Sequence, residues 1–182
     1  MTVEDGTLVA GADSYTSLAF ADAYMASHAS ATAWLALNSA AREGLLVRAS
    51  RQLDALVEWK GYKLDIDQGL GWPRQAVPYD QPVVPGLFAG SNTYPENKVP
   101  REVQQATVEL AALNMAGDRG GDVEGAGIKS VGLGDGALEI EFDSTTAVHP
   151  LGQLVPSMLT DFVETIAGRA SGRRGTIKTV RQ

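Results

Sequence analysis

Six residues between Trp59 and Arg74 have the types and spacing to meet a nucleic acid: Trp59, Lys60, Tyr62, Lys63, Trp72 and Arg74. Aromatic rings stack on bases and cations meet phosphates, the combination on which single-strand binders rely. Asp65 and Asp67 interrupt that positive charge. The reading that carries more weight is that the same tryptophans fill a core, because large aromatics dominate burial in small domains. The two readings make opposite demands: one needs the indoles at the surface, the other needs them inside.

No other stretch carries a chemical signature. There is no G-x-S-x-G elbow, no H-E-x-x-H helix and no Ser, His and Asp set suggested by context. Gly132-x-Gly134-x-Gly136 is followed by neither a helix nor a Walker lysine, so it is not a nucleotide fingerprint. Zero cysteines exclude disulfides and thiolate metal sites. His28 and His149 are too far apart in sequence for a metal cluster, and His28 suits a helix C-terminus, where the dipole favours a cation. Asp118, Asp122 and Glu124 lack the alternation and terminal glutamate of an EF-hand. The expectation is a protein that is not an enzyme and takes no metal and no cofactor.

The stretch from Trp59 to Arg74 needs elements to position it. Leu45, Ala49, Leu53 and Leu56, flanked by Leu46 and Val57, form one face of a helix over 39–60, capped by Asn38-Ser39 and stopped by Gly61. Arg42, Glu43, Arg48, Arg51, Asp54 and Glu58 mostly point away as solvated charges, worth little to stability. Trp72-Pro73 calls for extended chain on the far side.

Before this helix, Val3 to Tyr15 reads as extended, and Ser17 caps a helix over 17–28 with Leu18, Ala21 and Met25 on one stripe. Thr32 to Leu37 reads as a brief apolar turn holding Trp34. After it, residues 75–97 hold Pro78, Pro82, Pro85 and Pro95, too irregular for a helix and long for a connection, as loops that serve a contact are. Pro100 opens a helix over 100–116 with Val103, Ala106, Leu110 and Leu113 inward. From Ile128 the period changes to two. Val131 and Leu133, a glycine-rich turn, then Leu138, Ile140 and Phe142 predict a β-hairpin over 128–142. Leu159, Phe162, Val163 and Ile166 predict a last helix over 156–167 behind Pro156.

The fold class expected is therefore mainly α: a small bundle of about four main helices with an inserted β-hairpin and an extended C-terminal arm. Residues 1–167 form the domain and 168–182 the arm. At 182 residues and 44% hydrophobic, the chain suits one domain with a core of its own. No run of about 18 apolar residues and no basic-then-apolar N-terminus appears, so neither membrane nor secretion is expected.

Formal charge is −7, from 15 basic and 22 acidic residues, and it is unevenly spread. No acid follows Glu164, whereas Arg169, Arg173, Arg174, Lys178 and Arg181 are all basic. An acidic body repels nucleic acid at long range, while a basic tail attracts acidic groups. The tail's tip alternates Ile177, Lys178, Thr179 and Val180, the composition of a strand able to join a partner's sheet edge. A tail that only solubilises or touches phosphates is the competing reading.

The order of short motifs carries a resemblance. Ala12-Asp13-Ser14-Tyr15, a helix ending in Leu53-Asp54-Ala55-Leu56, Trp59-Lys60-Gly61, Trp72-Pro73-Arg74 and the helix-opening run from Val99 to Ala111 follow one another at set spacing. Roughly residues 3–117 are covered, with a looser match at 128–142 and in the last helix. The chain thereby resembles small tailed-bacteriophage proteins catalogued as DnaT-like single-stranded-DNA binders, which in virion terms are similar to head-to-tail adaptors.

The resemblance implies a structural virion protein of the neck, made in the host bacterial cytoplasm. A homo-oligomeric ring of about twelve copies would sit beneath the portal protein, meet the next neck or tail component and let double-stranded DNA pass during ejection. On that reading Arg169, Arg173, Arg174, Ile177, Lys178, Val180 and Arg181 dock on the portal, and Leu133, Asp135, Gly136 and Leu138 of the hairpin meet the neck partner. The alternative is a single-stranded-DNA-binding accessory protein using Trp59, Lys60, Tyr62, Lys63, Trp72 and Arg74.

Overall fold

The computed structural model describes residues 1–78, 93–115 and 151–166, together with the backbone of two strands at 128–134 and 137–142. The chain is mainly α with small β elements. Helices α1 (Leu18–Met25), α2 (Ala31–Ala36) and α3 (Ser39–Leu56) come first, followed by strands β1 (Val57–Trp59), β2 (Tyr62–Lys63) and β3 (Arg74–Gln75). Then come α4 (Arg101–Asn114), the strands β4 (Ile128–Gly134) and β5 (Ala137–Phe142), the short helix α5 (Leu154–Met158) and β6 (Val163–Ile166).

Side-chain caps start the helices where expected. The Ser17 hydroxyl accepts the Phe20 amide at 3.1 Å, and Asn38 Oδ1 accepts that of Ala41 at 2.8 Å, each satisfying a donor that the first turn leaves unpaired. Helix α3 lies along α4, and α1 packs against both. Leu46, Ala49 and Leu53 of α3 meet Val103, Ala106 and Leu110 of α4 in a core that also takes Ala21, Met25, Leu151, Val155 and Leu159.

Polar contacts tie this bundle together across its faces. Glu109 of α4 is buried and accepts from the Tyr24 hydroxyl at 2.7 Å, and His28 Nε2 lies 3.4 Å from its other oxygen. Burial, aided by that carboxylate, pushes the Tyr24 phenol up to about 12. His28 thus serves as a partner of α4, beyond the end of α1 at Met25, rather than as the last residue of a helix reaching 28.

Three further expectations are corrected. The stretch around Trp34 is helix α2, not a turn; its indole is fully buried and donates to Asp22 at 2.7 Å, and Arg42 donates to the same oxygen at 2.6 Å. Helix α3 ends at Leu56, four residues short of Lys60, because β-branched Val57 turns extended (ψ 129°) to open β1. Gly61, with φ of 72°, makes the turn between β1 and β2 rather than a helix stop.

The last helix fails most completely. Only Leu154–Met158 is helical, and Val163–Ile166 is a strand antiparallel to β1. Val163 and Ile166 are both buried because the register slips between Glu58 and Trp59, so residues three apart face the same side. That spacing mimics a helical period, and β-branched composition plus a waiting partner strand decided otherwise.

The hairpin forms as read, with Leu133 opposite Leu138 and Gly134 opposite Ala137. The proline-rich loop is closed at its base by the Pro78–Thr93 bridge and a 2.8 Å bond from the Tyr94 amide to the Val77 carbonyl. Its middle, Asp135 and Gly136 of the hairpin turn, and the whole arm with Arg169, Arg173, Arg174, Ile177, Lys178, Val180 and Arg181 lie outside the described residues.

Candidate nucleic-acid interface

The junction where α3 becomes β1 holds Asp54, which the sequence reading assigned to the solvated face. Its carboxylate points inward instead. Oδ1 accepts from the Trp59 indole at 2.8 Å and from the Tyr15 hydroxyl, and Oδ2 accepts the Gly71 amide at 2.9 Å. Burial raises the Asp54 pKa above the carboxylate's ordinary value, opposed by these hydrogen bonds and by the Lys63 charge. Burial beside Asp54 pushes the Tyr15 phenol well above its usual range.

Trp59 and Trp72 are both interior. Their rings meet edge to face at 6.1 Å, and Trp72, fully buried, makes the same contact with Tyr94 at 6.1 Å and Phe162 at 5.8 Å. Tyr15 closes the other end against Trp59 at 6.3 Å. Such contacts add about 0.5–1.5 kcal/mol each beyond area burial. The rings that a single-strand binder would present are the centre of this core, and the Trp72–Pro73 peptide bond beside them is cis.

Arg74 is equally committed. Its guanidinium donates to four backbone carbonyls: Lys60 at 2.7 Å, Gly61 at 2.6 Å, Gly71 at 3.1 Å and Trp59 at 3.2 Å. The fork therefore holds both ends of the 59–74 excursion together, which a point-charge lysine would do poorly. Half-buried, its cation is lowered by desolvation and supported by Asp54 and Glu164.

Three of the six residues remain at the surface. Tyr62 is 71% exposed, Lys63 is exposed with its ammonium 3.3 Å from the Gln68 carbonyl, and Lys60 reaches the Asp161 carbonyl at 2.9 Å. Beside Tyr62 lies a recess of about 410 Å³ lined by Lys60, Gly61, Ala76, Pro78 and Glu164. One accessible ring, two cations and a carboxylate make a small contact point, not a track for successive bases. The continuous aromatic and basic surface that the spacing allowed does not assemble.

The whole chain, residues 1–182, matches the profile of a family described as "Putative DnaT-like ssDNA binding protein". The chain belongs to this family. No curated protein and no solved structure matches it.

In this DnaT-like family member, the motifs quoted from the sequence converge on one place. Tyr15 of the first, Asp54 of the second, Trp59 of the third and Trp72 and Arg74 of the fourth meet around Asp54 and Gly71. A Cβ on Gly71 would stand 2.6 Å from both Asp54 Oδ1 and the Trp59 indole nitrogen, so the glycine is required by close approach. Among the described residues no group of three or more His, Cys, Asp or Glu could hold a metal ion, and no helix is long and apolar enough to cross a membrane. The sequence reading quoted Asp54 and Tyr15 in its motifs but gave neither a place in the site, and it set Asp54 among the solvated charges although it stands directly beside the buried Leu53.

Proposed function

We propose that this DnaT-like family member is a structural subunit of a bacteriophage neck: an adaptor that joins a ring of like subunits beneath the portal protein, connects it to the next neck or tail component and lets double-stranded DNA pass. The observation that carries this reading is the inward commitment of Trp59, Trp72 and Arg74, which removes the base-stacking surface and leaves an acidic body. An acidic wall gives passing DNA no adhesive surface. The order of motifs from Ala12 to Ala111 supports the same reading through the resemblance it carries.

The arm from Arg169 to Arg181 is the portal-docking element, its cations meeting acidic groups and its tip adding a strand to the portal. The hairpin residues Leu133, Asp135, Gly136 and Leu138 face the next neck component. Adding purified protein to portal-containing heads and imaging the necks tests the reading. A ring of the protein at the junction is expected, and removing residues 169–182 should abolish both its addition and tail joining. Necks without the protein, or with a single copy, would overturn the proposal.

The second reading, single-stranded-DNA binding, is favoured by the family's description and by the exposure of Tyr62 and Lys63. Anisotropy of a labelled oligo-dT at moderate salt separates the two. Binding that is lost in Tyr62→Ala with Lys63→Ala, at unchanged melting temperature, would favour it over the adaptor.

A further inference from the structure

One imidazole holds the corner between α1 and α2. His28 Nδ1 accepts the Ser30 amide at 3.0 Å, and Nε2 lies 3.4 Å from Glu109 Oε2 of α4. A backbone amide can only donate, so Nδ1 carries no proton here. The neutral ring therefore keeps its proton on Nε2, toward the carboxylate, because the bond made by one ring nitrogen fixes the state of the other. The two links differ in kind: one ties the ring to its own corner, and the other ties it across the bundle to α4.

Proton uptake acts on these links in opposite directions. An imidazolium donates from both nitrogens, so a proton on Nδ1 meets the Ser30 N–H donor against donor and that hydrogen bond is lost. The contact of Nε2 with Glu109 instead gains charge and strengthens. The His28 side chain is 25% exposed, so water reaches the ring. Glu109 is held in place to receive it, since its other oxygen accepts the Tyr24 hydroxyl at 2.7 Å.

No other charge competes for the ring. On α1 the remaining titratable group, Asp22, accepts from Trp34 and Arg42. Helix α2 carries no titratable side chain, and Arg101 and Glu102 open α4 about two turns before Glu109. The Ser30 side chain makes no cap bond to α2, so the Nδ1 bond is the tie between this residue and the ring. Beyond it α2 stays anchored, because the Trp34 amide donates to the Ser30 carbonyl at 3.0 Å and the Trp34 indole donates to Asp22. Release is thereby confined to the corner.

We propose that the α1–α2 corner is a pH-sensitive switch: neutral His28 closes it through the Ser30 amide, and protonated His28 frees that amide while it grips Glu109. The device stands apart from the adaptor reading and survives or fails independently of it.

Nitrogen-15 spectra of the full-length chain test it between about pH 8 and about pH 5, the interval in which imidazole changes charge. At the upper end the His28 ring should show a bare Nδ1 and a protonated Nε2. As His28 takes up its second proton, the Ser30 amide signal should move with the same midpoint. Its protection from exchange, corrected for the intrinsic effect of pH, should fall roughly fivefold, as for the loss of one ordinary hydrogen bond. In His28→Asn the side-chain oxygen can accept the same amide two residues on, without titrating, and the Ser30 signal should stay constant over the interval.

A neutral ring protonated on Nδ1 would overturn the switch, and that reading needs no variant. A Ser30 amide indifferent to the titration of His28, or one that still titrates in His28→Asn, would overturn it as well.

Discussion

The Trp59 indole donates to the carboxylate of Asp54, five residues earlier, at 2.8 Å, across the point where helix α3 becomes strand β1. This bond joins the two halves of the fold. Asp54 also holds Gly71 and Tyr15, and Trp59 packs edge to face against Trp72, so helix end, strand start and the Trp-Pro-Arg segment become one unit.

Trp72→Ala should lower stability by about 3–5 kcal/mol, because a fully buried ring with three aromatic neighbours leaves a cavity that rigid surroundings fill only in part. Denaturant unfolding checks this. Unchanged stability would mean the ring is not in the core.

Arg74→Lys should cost about 2 kcal/mol, which for a domain of this size lowers the melting temperature by roughly 4–8 °C. A lysine cannot reach four carbonyls from one planar fork. Calorimetry is the measurement, and an unchanged transition would show that the carbonyls find other donors.

Asp54 makes stability depend on pH. Its folded pKa is raised by burial above the ordinary 3.8, so its contribution is fully present below that value and is lost as pH rises through the folded pKa. Asp54→Asn has no such titration. The stability advantage of the natural chain over Asp54→Asn should therefore shrink as pH increases from 4 upward, measured by unfolding at a series of pH values. A gap that widens with pH would place the folded pKa below the ordinary one.

Gly61→Ala should destabilise by roughly 1–3 kcal/mol. A side chain there adopts a left-handed φ of 72° and meets the Gln75 carbonyl across the β2–β3 ribbon. The melting temperature reports it, and a neutral substitution would show that the ribbon shifts freely.

Much of the helical frame was legible in the chain. Ser17 and Asn38 mark helix starts because their side chains satisfy local amides, and the stripe from Leu45 to Leu53 marks the buried face of α3; both are properties of neighbouring residues. The period-two run from Val131 to Phe142 likewise determined a hairpin with Leu133 opposite Leu138.

Where distant partners compete, sequence periodicity did not decide. Val163 and Ile166 have helical spacing and yet form a strand, because Val57–Trp59 offers an edge about a hundred residues away and the register slip turns both inward. Trp59, Trp72 and Arg74 have the composition of a nucleic-acid surface. Only the tertiary structure, by placing Asp54, Phe162 and four backbone carbonyls around them, made them core and brace, since a ring goes where apolar neighbours cover it and a guanidinium where acceptors match its desolvation.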